Sequence, residues 1–210
     1  MSELESLRAA EFIEKNMTHQ TSVYSDESKF REAYFSAERL KETCGLLLDF
    51  GVLRGRSTIQ IANALQKLGN RKVHAFDAFL GLRDPWSKVD RSVGAMNLQG
   101  MPPSELLTHP NIETHVGWVE DTLESFLSSN VGQVGLAHFD FDVFPPAHFA
   151  LASIKSRLRE SSLIIFDDFF GFIGWRHHSY KAFMEVLEAE DWILEAFSPK
   201  QAAFSKSQTN

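Results

Sequence analysis

From Gly45 onward the chain alternates short, unbroken apolar runs with segments whose apolar residues recur at helical spacing. Strands buried on both faces read as continuous apolar runs, and such strands separated by helices build a parallel sheet covered on both sides. The runs at 46–50, 72–77, 112–116, 134–141 and 163–167 are the expected strands. Between them, 57–68 carries Ile61, Leu65 and Leu68 on one face and stops at Gly69-Asn70, a helix C-terminus. A short helix is expected over 122–129, and another opens at Pro145-Pro146, where no backbone donor is needed. A further helix is expected over 175–190. The chain closes on 192–197 and 201–204 around Ser198-Pro199-Lys200, which reads as an antiparallel hairpin. The fold class is therefore α/β: a doubly wound, mostly parallel sheet with a C-terminal hairpin.

Upstream of Gly45 the pattern is purely helical. Leu4, Leu7, Ile13 and Met17 mark one amphipathic helix, and Phe30, Tyr34, Ala37, Leu40 and Cys44 a second, with a polar connection over 18–28. At 210 residues, without repeat or Gly/Ser linker, the chain suits one compact unit, 45–210, preceded by an N-terminal helical segment, 1–44. The stretch 81–110, with Pro85, Gly94, Gly100, Pro102, Pro103 and Pro110, is too long and too punctuated for an ordinary connection and reads as a functional lid or a mobile loop. Within it, Lys88 and Arg91 are candidates for closing over a substrate, against the plainer reading of solvated loop cations.

Lys plus Arg number 21 against 28 Asp plus Glu, a net charge of −7, which gives no basic surface for nucleic acid. The single cysteine, Cys44, excludes an internal disulfide and reads as a small buried hydrophobe in a reducing compartment. The N-terminus lacks the basic start and apolar run of a signal peptide, and no stretch approaches about 20 uninterrupted apolar residues. The expectation is a soluble, cytoplasmic protein that binds neither membrane nor nucleic acid.

Two constellations carry chemistry. The first is Asp49-Phe50-Gly51-Val52-Leu53-Arg54-Gly55-Arg56-Ser57, a strand running into a glycine-spaced loop and a helix, where free amides favour polar or anionic groups. Alone it is no more than a tight turn, and it lacks the Gly-x-Gly-x-x-Gly dinucleotide fingerprint. Asp77 ends the next strand where doubly wound proteins place an acid on ribose hydroxyls. The second constellation is His138-Phe139-Asp140-Phe141-Asp142 with Phe166-Asp167-Asp168-Phe169. Residues i and i+2 of a strand face one side, so Asp140 and Asp142 project together, and the neighbouring strand end brings Asp167 and Asp168 alongside. Four converging carboxylates call for a hard divalent cation such as Mg²⁺. Strand order in a doubly wound sheet would set the glycine loop beside Asp140, so cofactor and metal would share one crevice. His138 on its buried strand reads as a satisfied core histidine, and His177 and His178 as a solvated helix start within reach of an acceptor.

On these residues the chain resembles the S-adenosylmethionine-dependent O-methyltransferases of the macrocin O-methyltransferase type and related small class I methyltransferases. The likeness runs from about Leu46 to Phe204. It is carried by Leu48-Asp49-Phe50-Gly51-Val52 with Gly55 and Ser57, and by Ala75-Phe76-Asp77-Ala78-Phe79 with Gly81-Leu82. Gly117-Trp118-Val119-Glu120-Asp121-Thr122-Leu123 and the two acidic motifs complete it. The resemblance implies a seven-stranded, Rossmann-like sheet and S-adenosylmethionine held by Asp49, Gly51, Gly55, Ser57, Asp77, Phe79, Gly117, Asp121 and Asp140. It further implies Mg²⁺ on Asp140, Asp167 and Asp168, with Asp142 as general base. The family has Glu at 49, Tyr at 144 and often at 169, and a small polar pair at 145–146, where this chain has Asp49, Phe144, Phe169 and Pro145-Pro146. The expected function is methyl transfer to a hydroxyl of a small-molecule sugar or diol from natural-product biosynthesis, with a homo-oligomer compatible with the sequence. Two rivals are a metal-dependent nucleotide-sugar glycosyltransferase using Asp140-x-Asp142 and a non-catalytic adenosylmethionine-binding module.

Overall fold

A computed structural model describes residues 3–85, 92–187 and 191–206. Lys88 and Arg91, and the end of the helix expected over 175–190, lie outside the described residues. The chain opens with α1 (Glu3–Asn16) and a two-residue strand β1 (Ser22–Val23), followed by α2 (Glu27–Tyr34) and α3 (Ala37–Leu40). Then come β2 (Leu46–Phe50), α4 (Arg56–Gln66), β3 (Val73–Asp77), α5 (Ser104–Thr108), β4 (Ile112–Val116) and α6 (Val119–Ser129). The last part is β5 (Val134–Phe139), α7 (Phe144–Ile154), β6 (Leu158–Phe166), α8 (Ser179–Val186), β7 (Trp192–Phe197) and β8 (Ala202–Lys206).

The sheet order is β1-β7-β8-β6-β5-β2-β3-β4, parallel throughout except where β8 runs antiparallel between β6 and β7. The doubly wound sheet with a C-terminal hairpin is thus the observed fold, and its seven expected strands are all present. An eighth was not expected: 22–23, inside the polar connection, pairs with the outer edge of β7. Thr21 Oγ1 donates to Leu194 O and the Tyr24 amide to Phe197 O, so the edge groups of β7 find partners that a polar sequence does not announce.

The second N-terminal helix also differs from expectation. It breaks at Phe35-Ser36 into α2 and α3, each with its own cap: Asp26 accepts from the Lys29 amide, and Ser36 Oγ from that of Arg39. Cys44 therefore falls beyond the helix in the turn before β2 and is exposed, not buried. No helix among the described residues is long and apolar enough to cross a membrane.

Four adjacent strands carry a phenylalanine at or one residue before their carboxyl ends. Phe76 of β3, Phe50 of β2, Phe139 of β5 and Phe166 of β6 are register partners in turn, with ring centroids 5.2, 5.1 and 5.1 Å apart. All four are fully buried under α6, α7 and α8. Burying such rings stabilises by roughly 1.5–3 kcal/mol each. The ladder then continues one step past each ring: the Gly51 amide donates to Phe76 O, the Asp140 amide to Phe50 O and the Asp167 amide to Phe139 O. Residues 51, 140 and 167 consequently leave the sheet side by side, next to Asp77 at the end of β3.

Candidate active site

The residues just beyond this aromatic row line a crevice at the carboxyl ends of β2, β3 and β5, where open parallel sheets bind ligands. Gly51, Leu53, Phe76, Asp77, Gly117, Trp118, Val119 and Glu120 form one part of it, and Asp140, Phe141, Asp142 and Val143 another. Leu82, Arg83 and Met96 from the long 81–110 segment also reach it. Five non-glycine residues among those described have positive φ, and three of them, Leu53, Met96 and Asp142, line this crevice. Backbone strain of this kind gathers at functional sites.

Gly51 is where backbone approach is closest. Its φ is +81°, and a Cβ there would lie 2.1 Å from Asp140 O, so only glycine lets the loop after β2 pass the strand end that carries the acidic residues. Asp77 is held by two amides: Leu53 N donates to Oδ2 and Phe79 N to Oδ1, both at 2.7 Å. Burial pushes its pKa up, and the amides of Leu53 and Phe79 oppose the shift. The carboxylate thus ties the glycine loop to β3 and sits in the crevice wall.

The sequence-derived cofactor set divides. Gly51, Asp77, Gly117 and Asp140 line the crevice. Gly55 sits left-handed at the start of α4, followed by Ser57, while Phe79 is buried and Asp121 lies exposed in the first turn of α6; none of these lines it. Asp49 lies behind the crevice, 1% exposed, with Thr58 Oγ1 donating to Oδ2 at 2.5 Å and His138 Nδ1 2.7 Å from Oδ1. Trp118 and Arg83 escaped sequence reasoning as site residues: the guanidinium lies 3.7 Å from the centroid of the indole ring and 3.7 Å from Glu120. Trp118 stands inside the Gly117-to-Asp121 motif, whereas Arg83, in the 81–110 segment, carries no local signal.

The acidic residues also regroup. Strand β5 stops at Phe139 rather than 141, and Asp142 takes φ +63° in a turn closed by Val143 N to Phe141 O at 2.7 Å. Strand alternation therefore does not bring 140 and 142 together; the turn does. Asp140, Asp142 and Asp168 each offer a carboxylate oxygen within 4.8 Å of the others. Asp167 faces elsewhere: its Oδ1 accepts from Gln201 Nε2 and, at 3.3 Å, from Arg31 Nη1, and lies 3.9 Å from His138 Nε2. Arg31 is itself buried, so this carboxylate answers a cation that the helical N-terminal segment inserts beneath the site.

Burial, followed by Asp167 and Asp142, drives the Asp140 carboxyl well above its ordinary pKa. A group so placed ionises readily only when a cation offsets its neighbours, and an all-oxygen cluster fits a hard divalent ion. The crevice likewise suits a ligand with a ring and hydroxyls, since apolar walls of Phe76, Leu82 and Trp118 face a carboxylate acceptor on Asp77. His177 and His178 do not line it.

No curated protein matches the chain. Several solved structures do. A calicheamicin methyltransferase, CalS11, is similar with a TM-score of 0.71 at 18% identity over 99% of this chain and 88% of that one. The O-methyltransferase NovP matches with 0.68 at 17% over 86% and 80%. MycE, a methyltransferase from the mycinamycin biosynthetic pathway solved with Mg and SAH, matches with 0.55 at 14% over 99% and 55%. These likenesses place the fold among class I methyltransferases. The family described as "Methyltransferase domain" matches residues 48–169, from the strand before the glycine loop to the end of the second acidic motif and more than half of the chain, and the protein belongs to that family.

Proposed function

We propose that the protein is an S-adenosylmethionine-dependent, Mg²⁺-dependent O-methyltransferase acting on a hydroxyl of a small sugar or diol. The observation that carries this reading is the placing of Asp140, Asp142 and Asp168 in one cluster, with Asp140 and Asp142 in the same crevice wall as Gly51 and Asp77. S-adenosylmethionine, when bound, supplies a methyl group on a positively charged sulfur, open to in-line attack by oxygen. Asp77 would accept from the ribose hydroxyls, and the Gly51 loop would lie against the cofactor backbone-first.

Asp140 and Asp168 would hold the divalent ion, whose charge would lower the pKa of an acceptor hydroxyl. Asp142, on its left-handed turn in the crevice wall, would take the hydroxyl proton onto its carboxylate. With that proton on Asp142, the acceptor oxygen would bond to the methyl carbon as the carbon–sulfur bond breaks. Trp118 and Phe141 would keep water from the reacting atoms. The MycE match, solved with Mg and SAH, and the O-methyltransferase NovP support the same reading.

Calorimetry with S-adenosylmethionine, followed by methyl-transfer assays on diols and sugar nucleotides with Mg²⁺ or excess chelator, tests it. Binding together with chelator-sensitive turnover is expected. Full turnover after exhaustive chelation would remove the metal from the reading, and tight binding of a nucleoside-diphosphate sugar in place of S-adenosylmethionine would favour the glycosyltransferase.

A further inference from the structure

A second group of ligating side chains lies outside the crevice, on strands β3 and β4. His74 pairs in register with Glu113, and His115 stands two residues further along β4, so all three project from one face. His74 Nδ1 is 3.3 Å from His115 Nε2, and Glu113 Oε1 lies 4.0 Å from each of these nitrogens. We propose that His74, His115 and Glu113 form a binding site for a borderline divalent transition metal, best matched by Zn²⁺, with a coordination position left open to solvent. The proposal does not depend on the methyltransferase reading.

Geometry carries it. In a tetrahedral site with nitrogens about 2.0–2.1 Å from Zn²⁺, neighbouring ligand atoms stand about 3.3 Å apart. The two imidazoles already meet that spacing. Glu113 alone has to swing inward, and its side chain, 45% exposed with Lys72 Nζ 3.3 Å from Oε2, has room to rotate. The rings do not have that freedom. His115 stacks on Phe76 at 4.4 Å and 13°, and both rings pack on Phe126 of α6, at 4.6 Å for His74 and 4.9 Å for His115. Ligands held this way lose little entropy when an ion arrives.

The donor set also sets the site apart from the aspartate cluster. Two imidazoles with one carboxylate suit zinc, copper or nickel, whereas Mg²⁺ prefers oxygen alone. Burial depresses the pKa of both rings, His74 to about 4, so their lone pairs are available near neutrality. Strand β4 is the outer strand of the sheet, so an ion here would tie that edge to β3. The Phe76 ring lines the crevice on one side and stacks on His115 on the other. The competing explanation is a plain ring-to-ring hydrogen bond within an aromatic cluster.

Calorimetric titration of the full chain with Zn²⁺, in excess Mg²⁺ to occupy the oxygen cluster, separates the two. One Zn²⁺ per chain is expected, with binding weakened by at least about 10- to 100-fold in Glu113→Gln, the scale of losing even an outer partner of a metal ligand. Binding should vanish in the doubly substituted His74→Gln, His115→Gln chain. Zn²⁺ should also raise the thermal midpoint of the parent more than that of Glu113→Gln at the same concentration. Because Glu113 is exposed, that variant keeps the fold and decides the matter even if the double one does not fold. No saturable Zn²⁺ binding by the parent, or equal binding by parent and Glu113→Gln, would leave the histidine pair as packing and overturn the proposal.

Discussion

His138 Nδ1 lies 2.7 Å from Asp49 Oδ1 in the interior of the sheet, joining strands β2 and β5 directly beneath the glycine loop. Burial alone would depress the imidazole, but Asp167 on one side and Asp49 on the other outweigh it and push its pKa up to about 10. The histidine is therefore a buried cation between two acids.

Breaking that pair by Asp49→Asn leaves the imidazolium without its nearest countercharge and should cost roughly 3–5 kcal/mol of stability, measured by urea denaturation. The pH dependence has a definite sign. The folded pKa exceeds the unfolded value of about 6.5, so the contribution is fully present below about pH 6.5 and is lost as pH rises toward about 10. In His138→Gln this alkaline loss should disappear. An unchanged slope in that variant would show that another group is responsible.

Asp77→Ala should weaken S-adenosylmethionine binding by about 1.5–3 kcal/mol, the worth of a hydrogen bond to a charged acceptor. Because Asp77 also receives the Leu53 and Phe79 amides, the loop after β2 should exchange its amide hydrogens faster in the same variant. Parent-like affinity would move the ribose elsewhere.

The four acidic residues should separate into three behaviours. Asp140→Asn and Asp168→Asn should lose Mg²⁺ affinity, because each gives up a charged oxygen of the cluster. Asp142→Asn should retain metal and cofactor but turn over roughly 10² to 10⁴ times more slowly, the range for a lost general base. Asp167→Asn should keep Mg²⁺ affinity and lose stability instead, since its carboxylate serves Arg31 and Gln201. Mg²⁺ titration of all four decides these roles: equal metal loss in Asp140→Asn and Asp142→Asn would make Asp142 a ligand.

Gly51→Ala should abolish turnover and lower the thermal midpoint. The added methyl meets Asp140 O at 2.1 Å on a backbone with φ +81°, so the loop must retreat or the acidic strand end must shift. Ala at Gly69 is the control, with comparable φ and open space around it, and should leave turnover intact.

Much of this was legible in the sequence because it is local. Phe50 and Phe76 close the apolar runs read as the first two strands of the sheet, and Gly51 and Asp77 after them line the crevice; the run read as reaching 141 stops instead at Phe139. The break at Ser36 was not read from the sequence, because the apolar spacing across 30–44 masks the cap there. What tertiary structure alone decided is which way the side chains turn once a strand has ended. Alternation governs direction only inside β5, and Asp142 is oriented by a left-handed turn beyond it. Asp167 is drawn aside by Arg31, 136 residues away in the chain, and by Gln201, 34 residues away. A buried guanidinium must find a carboxylate, and which acid answers it depends on where the N-terminal helices dock, a long-range packing outcome that no local pattern encodes.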